Sequence, residues 1–198
     1  MTSFETLRSL ARKPAPRERC DMCGAALAHE HQHLLDPAAQ KLVCACDACA
    51  VLFYGNGETK YKRVPRRVRA LPNFQLSEAE WDSLLIPIGL AYFVDSSAHN
   101  KILAYYPSPA GATESALSLE AWCELVQENP ALALMEPDVE ALLVNRVDHA
   151  AEYYVAPIDK CYQLVGLIRS NWRGLSGGTE VWQSIGDFFT TLKATANA

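Results

Sequence analysis

The chain has 198 residues, 49% hydrophobic and 21% charged, the balance of an ordinary globular protein, which excludes a disordered chain or one that needs disulfides to fold. No stretch reaches the roughly 18 consecutive apolar residues of a membrane span. Residues 1–16 lack a signal-peptide core, so the expectation is a cytoplasmic protein without membrane insertion.

The net charge of −5 is unevenly spread, with 12 Lys+Arg against 7 Asp+Glu in residues 1–73 and 6 against 16 in residues 74–198, which points to two units with different surfaces. That division places a flexible N-terminus at 1–17, a cysteine-rich module at 18–59, a basic linker at 60–73 and an α+β domain at 74–193. Within the module, Leu42 and Val43 read as a strand, and Ala50 to Phe53 continue as either a helical turn or a strand. Ser77 and Glu80 match a capping box, so a short helix runs from there to about Leu85, where Pro87 stops it. Ile88 to Val94 and Lys101 to Tyr106 read as a hairpin, with turn residues Asp95 to Asn100 between them, and Pro107 to Glu114 as a loop that turns the chain. Leu119, Trp122, Cys123 and Val126 recur at helical spacing behind a Ser118 cap. Val139 to Val147 and Glu152 to Ile158 form a second hairpin, the first run having a helical alternative. Asp159 caps a helix with Cys161, Leu164, Val165, Ile168 and Trp172 on one face, ending near Gly174. Thr179 caps the last helix, whose Val181, Trp182, Ile185, Phe188, Phe189 and Leu192 form an apolar stripe. The sum is an α+β fold, a small module followed by an antiparallel sheet covered by helices on one face.

Five of the seven cysteines fall between residues 20 and 49. Cys20-Asp-Met-Cys23-Gly24 and Cys46-Asp-Ala-Cys49 are two CxxC knuckles about 20 residues apart, the spacing of zinc ribbons and treble clefs. Thiolates at that spacing curl around one side of an ion, and Gly24 permits the tight turn. Cys20, Cys23, Cys46 and Cys49 are therefore expected to hold one structural zinc ion. So small a head has little core, and metal binding supplies much of its folding energy. Cys44 extends the second knuckle to CxCxxC, and His29, His31 and His33 alternate along the intervening segment, which would set them on one side of a strand. Cys44, His31 and His33 are additional candidate ligands, against the plainer readings of a small buried residue and a solvated loop. With five thiols the alternative cofactor is iron, in a rubredoxin-like site or an iron–sulfur cluster.

Lys60, Lys62, Arg63, Arg66, Arg67 and Arg69 form a basic run near Tyr54 and Tyr61, a candidate partner-binding surface for phosphates or an acidic protein. The acidic balance of the whole chain weighs against a dedicated nucleic-acid binder. Gly174-Leu175-Ser176-Gly177-Gly178 has the letters of a nucleophile elbow, but a helix precedes it and no histidine follows Ser176, so it reads as a helix-to-helix connection. Cys123 and Cys161 share helix faces with apolar residues and are expected to be buried. No acid, base and nucleophile set emerges.

Together the knuckle at Cys20 to Gly24, HEHQHLLD at 29–36, CACDAC at 44–49, YYPSPAGATES at 105–115, EPDVEALLVNR at 136–146 and LVGLIRSNWRGLSGGTEVW at 164–182 resemble a bacterial family without an assigned activity. Its members are encoded beside the structural and maturation genes of high-affinity nickel–iron uptake hydrogenases, and the likeness covers nearly all of residues 18–192. The resemblance implies an accessory role in assembly, metal insertion or electron transfer, with hydrogenase subunits or maturation proteins as partners. It carries over only the candidate ligands Cys20, Cys23, His31, His33, Cys44, Cys46 and Cys49. The expectation is a non-enzymatic, metal-binding accessory protein that works through protein–protein contacts. Its rivals are an iron-binding redox carrier and a nucleic-acid-binding zinc-ribbon regulator.

Overall fold

The computed structural model describes residues 18–54, 60–116, 119–174 and 177–196, so the expected flexible segment 1–17, the Ser118 cap and Ser176 lie outside the described residues. The cysteine-rich head contains β1 (Gln32–Asp36), β2 (Lys41–Ala45), α1 (Asp47–Phe53) and β3 (Lys62–Arg63), with strand order β2-β1-β3. The body contains β4 (Arg69–Ala70), α2 (Glu78–Ser83), β5 (Leu90–Ser96), β6 (Lys101–Ser108), β7 (Gly111–Ser115), α3 (Leu119–Glu128), β8 (Glu140–Asn145), β9 (Glu152–Pro157), α4 (Ile158–Asn171) and α5 (Thr179–Ala196). Its six strands form one antiparallel sheet in the order β4-β9-β8-β5-β6-β7. The architecture is thus α+β, as the sequence pattern requires. Among the described residues, no helix is long and apolar enough to cross a membrane.

Helices cover both faces of the body sheet, whereas the sequence pattern suggests cover on one. The reason lies in the central strands: Leu90 to Val94 and Glu140 to Val144 are buried at every position. A strand without a polar face needs apolar cover on each side. Tyr92, Val94, Ala141 and Leu143 meet Ile158, Leu164 and Ile168 of α4 and Ile185 and Phe189 of α5. Ala91, Phe93, Leu142 and Val144 meet Trp81 of α2 and Trp122 and Leu125 of α3.

The capping box at α2 forms as expected, with Glu80 N–H donating to Ser77 Oγ and Ser77 N–H donating to Glu80 Oε2. Three local expectations change. The loop expected at Pro107 to Glu114 is the end of β6 and most of an edge strand, β7, with Pro107 opposite Ala112. The pairing of β6 with β5 ends at Tyr105, so Pro107 lies where β6 is paired on one side only and its missing N–H does not break the sheet. On α3 the apolar stripe is rotated by one position: Trp122 stacks on Phe93 at 5.6 Å between ring centroids, Ala121 and Leu125 are buried beside it, and Cys123 turns outward and is exposed. Cys161 is buried, as expected. Asp159 is not a cap, since Pro157 precedes α4 and makes no side-chain cap bond.

The segment read as a basic linker is built into both sheets. Lys62 and Arg63 pair with Leu35 and Leu34 of β1, while Arg69 and Ala70 pair with Val155 and Tyr154 of β9. Between them Val64 and Val68 are buried in the same apolar cluster as Leu35 and Ile158. The cations of this strap answer to acids of the same chain. Glu140, 0% exposed, takes Arg67 Nε on Oε1 and Arg69 on Oε2, each at 3.0 Å. Arg67 also reaches Glu136, and Lys62 reaches buried Asp138, both at 2.5 Å. Removing one partner from a buried pair leaves the remaining charges unsatisfied, tempered here because Arg67 is half exposed and can rehydrate. Glu140→Ala should therefore lower stability by about 2 kcal/mol, read from the urea midpoint. A change below about 0.5 kcal/mol would show that the ion-pair network does not hold the strap.

Candidate metal centre

The first knuckle is closed by backbone bonds. An isolated bridge joins Arg19 and Ala26, Cys20 N–H donates to Ala25 O at 2.8 Å, and Gly24 N–H donates to Cys20 O at 2.8 Å. Gly24 has φ +74°, a conformation that a side chain disfavours. Asp21 then clamps this knuckle to the strand that leads into the second one. Its N–H donates to Cys44 O at 2.8 Å, and its Oδ2 accepts from Cys44 N–H at 2.7 Å. The second knuckle opens a helix: Cys46 is the residue before α1, Ala50 N–H donates to Cys46 O at 2.8 Å, and Cys49 lies in the first turn. Of the two continuations open to Ala50–Phe53, the helical one forms, which is the treble-clef arrangement.

These contacts gather Cys20, Cys23, Cys46 and Cys49 so that their sulfur atoms all lie within 4.8 Å of one another. Cys23 and Cys46 are 3.7 Å apart. A tetrahedral ion with metal–sulfur bonds of about 2.3 Å places its ligands about 3.8 Å apart, so this spacing fits a single ion. Cys20 and Cys49 are buried, Cys46 is half-buried and Cys23 is exposed, and all seven cysteines of the chain are free thiols. Burial opposes charge on Cys20, but the amides of Cys46, Cys23 and Met22 outweigh it and bring its pKa down to about 6. Cys49 is pushed up to about 12 by burial, by its bonds to the other three cysteines and by the charge on Cys20. One thiolate is thus solvated by backbone amides while a neighbouring thiol is denied its charge. A cation among the four relieves that conflict.

A family model described as a family of unknown function (DUF5947) matches residues 19–196. The chain belongs to that family. No curated protein and no solved structure matches it.

The remaining candidate residues of this DUF5947 member fall into two groups. His31, His33 and Cys44 come together, one ligand atom from each lying within 4.8 Å of the others. His33 is cross-strand partner to Cys44, and the rings of His31 and His33 meet edge to face at 4.8 Å. Burial raises the Cys44 thiol, helped by the charges of Asp21, Glu18 and Cys20. The basic run does not join them. Lys60 pairs with Asp36 at 3.0 Å, and Arg63 donates to Gln32 Oε1 at 3.0 and 3.2 Å. With Lys62, Arg67 and Arg69 on Asp138, Glu136 and Glu140, only Arg66 of the six is exposed without a partner among the described residues.

Two contributors were invisible to sequence reasoning. Asp21 looked like an ordinary knuckle residue and is the clamp between the knuckles. Asp159 accepts from His33 Nδ1 at 2.8 Å across a separation of 126 residues, which no local pattern signals. The Cys20→Ser/Cys23→Ser double variant should lose the metal held by the four cysteines and leave residues 18–54 open to protease while the body sheet stays resistant. Metal analysis with limited proteolysis reads both, and unchanged metal content would refute the site.

Proposed function

We propose that this chain is a non-enzymatic accessory protein whose head is held by one structural zinc ion on Cys20, Cys23, Cys46 and Cys49. The single observation that carries this reading is the closed set of four sulfur atoms within 4.8 Å of one another. Four thiolates complete a tetrahedron and leave no position for substrate, the mark of a structural site. An iron–sulfur cluster adds further irons and bridging sulfides between the thiolates and needs a wider cage, which weighs against that alternative. Thiolate ligation requires reduced cysteines, in keeping with a cytoplasmic setting.

The accessory role rests on the resemblance of the motifs to the hydrogenase-associated family, which makes nickel–iron hydrogenase subunits or their maturation proteins the proposed partners. A contact surface lies directly after the metal ligands. Val51 and Leu52 are 71% and 76% exposed, and Phe53 and Tyr54 continue the apolar stripe. Exposed apolar side chains grouped in this way favour burial against another protein.

Protein purified without oxygen should be colourless at the four-cysteine site and contain zinc in the amount that Cys20→Ser/Cys23→Ser loses. Iron in that amount, with a visible band that bleaches on dithionite, would move the reading to a redox carrier. A tagged chain should retain a hydrogenase subunit or maturation protein from a lysate that contains the hydrogenase system, and Val51→Asp/Leu52→Asp should retain several-fold less. Equal recovery by both proteins would remove this surface from the contact.

A further inference from the structure

Successive strand positions face opposite sides of a sheet. His33 and its partner Cys44 therefore project from the same face of the β1–β2 hairpin, and the ring of His31, just ahead of β1, meets the His33 ring at 4.8 Å. That face is turned toward the body, because Leu35 and Leu42, which have the same parity, pack into the cluster of α4 and the body sheet. The four-cysteine core, with Leu34, Val43 and Ala45, lies on the other face.

The hydrogen bonds of both rings leave the same nitrogen bare. His31 Nδ1 lies 3.0 Å from Ala28 O and 3.5 Å from Glu18 Oε2, both acceptors, so Nδ1 carries the proton and Nε2 the lone pair. The His31 side chain is 7% exposed, and its Nε2 is buried without a hydrogen-bond partner. An unsatisfied buried polar atom is unfavourable and calls for a ligand. His33 Nδ1 donates to Asp159 Oδ2 at 2.8 Å, which again turns a bare Nε2 away from the carboxylate. A carboxylate behind an imidazole is the arrangement by which metal-bound histidines are oriented and made more basic. The second oxygen, Asp159 Oδ1, is buried and also lacks a partner. A dication on the far side of the ring supplies the positive charge that this carboxylate lacks.

We propose that His31 Nε2, His33 Nε2 and Cys44 Sγ bind a second metal ion, a divalent late first-row transition ion, at the seam between head and body. Two imidazoles and one thiolate suit that class of ion and exclude magnesium and calcium. One ligand atom from each of the three residues already lies within 4.8 Å of the others, so small side-chain movements bring the set to the ligand spacing of a tetrahedral ion. Three protein ligands leave a coordination position open, in contrast to the closed four-cysteine set, so this ion exchanges more readily. Cys44 lies in β2 and Cys46 just past its end, so the two ligand sets are neighbours that share no residue. Asp159 is a positioning residue: it ties occupancy of the site to docking of the hairpin against α4.

The test adds cobalt(II), without oxygen, to the full chain already loaded with zinc. Zinc that stays bound reports the four-cysteine site independently, so failure of one assignment is read apart from failure of the other. The expected result is uptake of one cobalt ion without zinc release, with ligand-field absorption and a thiolate-to-cobalt charge-transfer band. Cys44→Ser should keep weak cobalt binding and lose the charge-transfer band, whereas His31→Ala/His33→Ala should lose cobalt and keep its zinc. Asp159→Asn should bind cobalt roughly 10- to 100-fold more weakly with the charge-transfer band retained. No cobalt uptake, uptake matched by zinc release, or a charge-transfer band that survives Cys44→Ser would overturn the proposal.

Discussion

Neighbouring positions on a strand point to opposite faces, and the hairpin of β1 and β2 uses both faces for different purposes. Leu34, Val43 and Ala45 turn toward the cysteines and make the small apolar floor on which the two knuckles rest. Leu35 and Leu42 turn the other way and join the core of the body. The head is therefore neither free nor self-sufficient: its floor is too small to hold it alone, and its outer face is already committed to α4. A shift of one residue in the β1–β2 register would exchange these faces and undo the cysteine cluster and the docking together.

The chain's charge asymmetry takes on a different meaning in three dimensions. The excess of cations before residue 74 and of anions after it reads as two contrasting surfaces. In the folded protein much of it is complementarity across one internal seam, where Arg67 and Arg69 share the buried carboxylate of Glu140 and Lys62 meets Asp138. Such pairs give orientation more reliably than stability, because desolvation offsets much of the attraction. They flank the stretch where the strap passes from the head sheet to the body sheet, with Val64 and Val68 supplying the apolar contact between them.

Local chemistry was legible where a short stretch of chain sufficed to specify it. The Ser77–Glu80 capping box, the hairpins around Asp95–Asn100 and between β8 and β9, and the buried stripe of α5, apart from the exposed Trp182, all depend on residues close in sequence. Misreadings arose where a distant partner outvoted a local pattern. Trp122 packs on Phe93 and rotates α3 so that Cys123 faces solvent, and the pairing of β6 with β7 orders a segment whose proline and glycine looked like a loop. Asp159 read as a cap, yet the helix begins one residue before it and its carboxylate is bonded to His33.

The sequence by itself singled out four thiols in two CxxC pairs as a set that could share one ion, because each pair's geometry is set by three or four consecutive residues, and the fold brings those four together. It also determined the α+β composition of the body through the periods of its apolar residues. Only the tertiary structure decided which acids of the same chain the cations of the strap pair with. It alone brought His31, His33 and Cys44 to one point with Asp159 behind them. The physical reason is the same in both cases: charge pairing and ligand convergence depend on distances through space between residues scores of positions apart, and no periodicity along the chain encodes them.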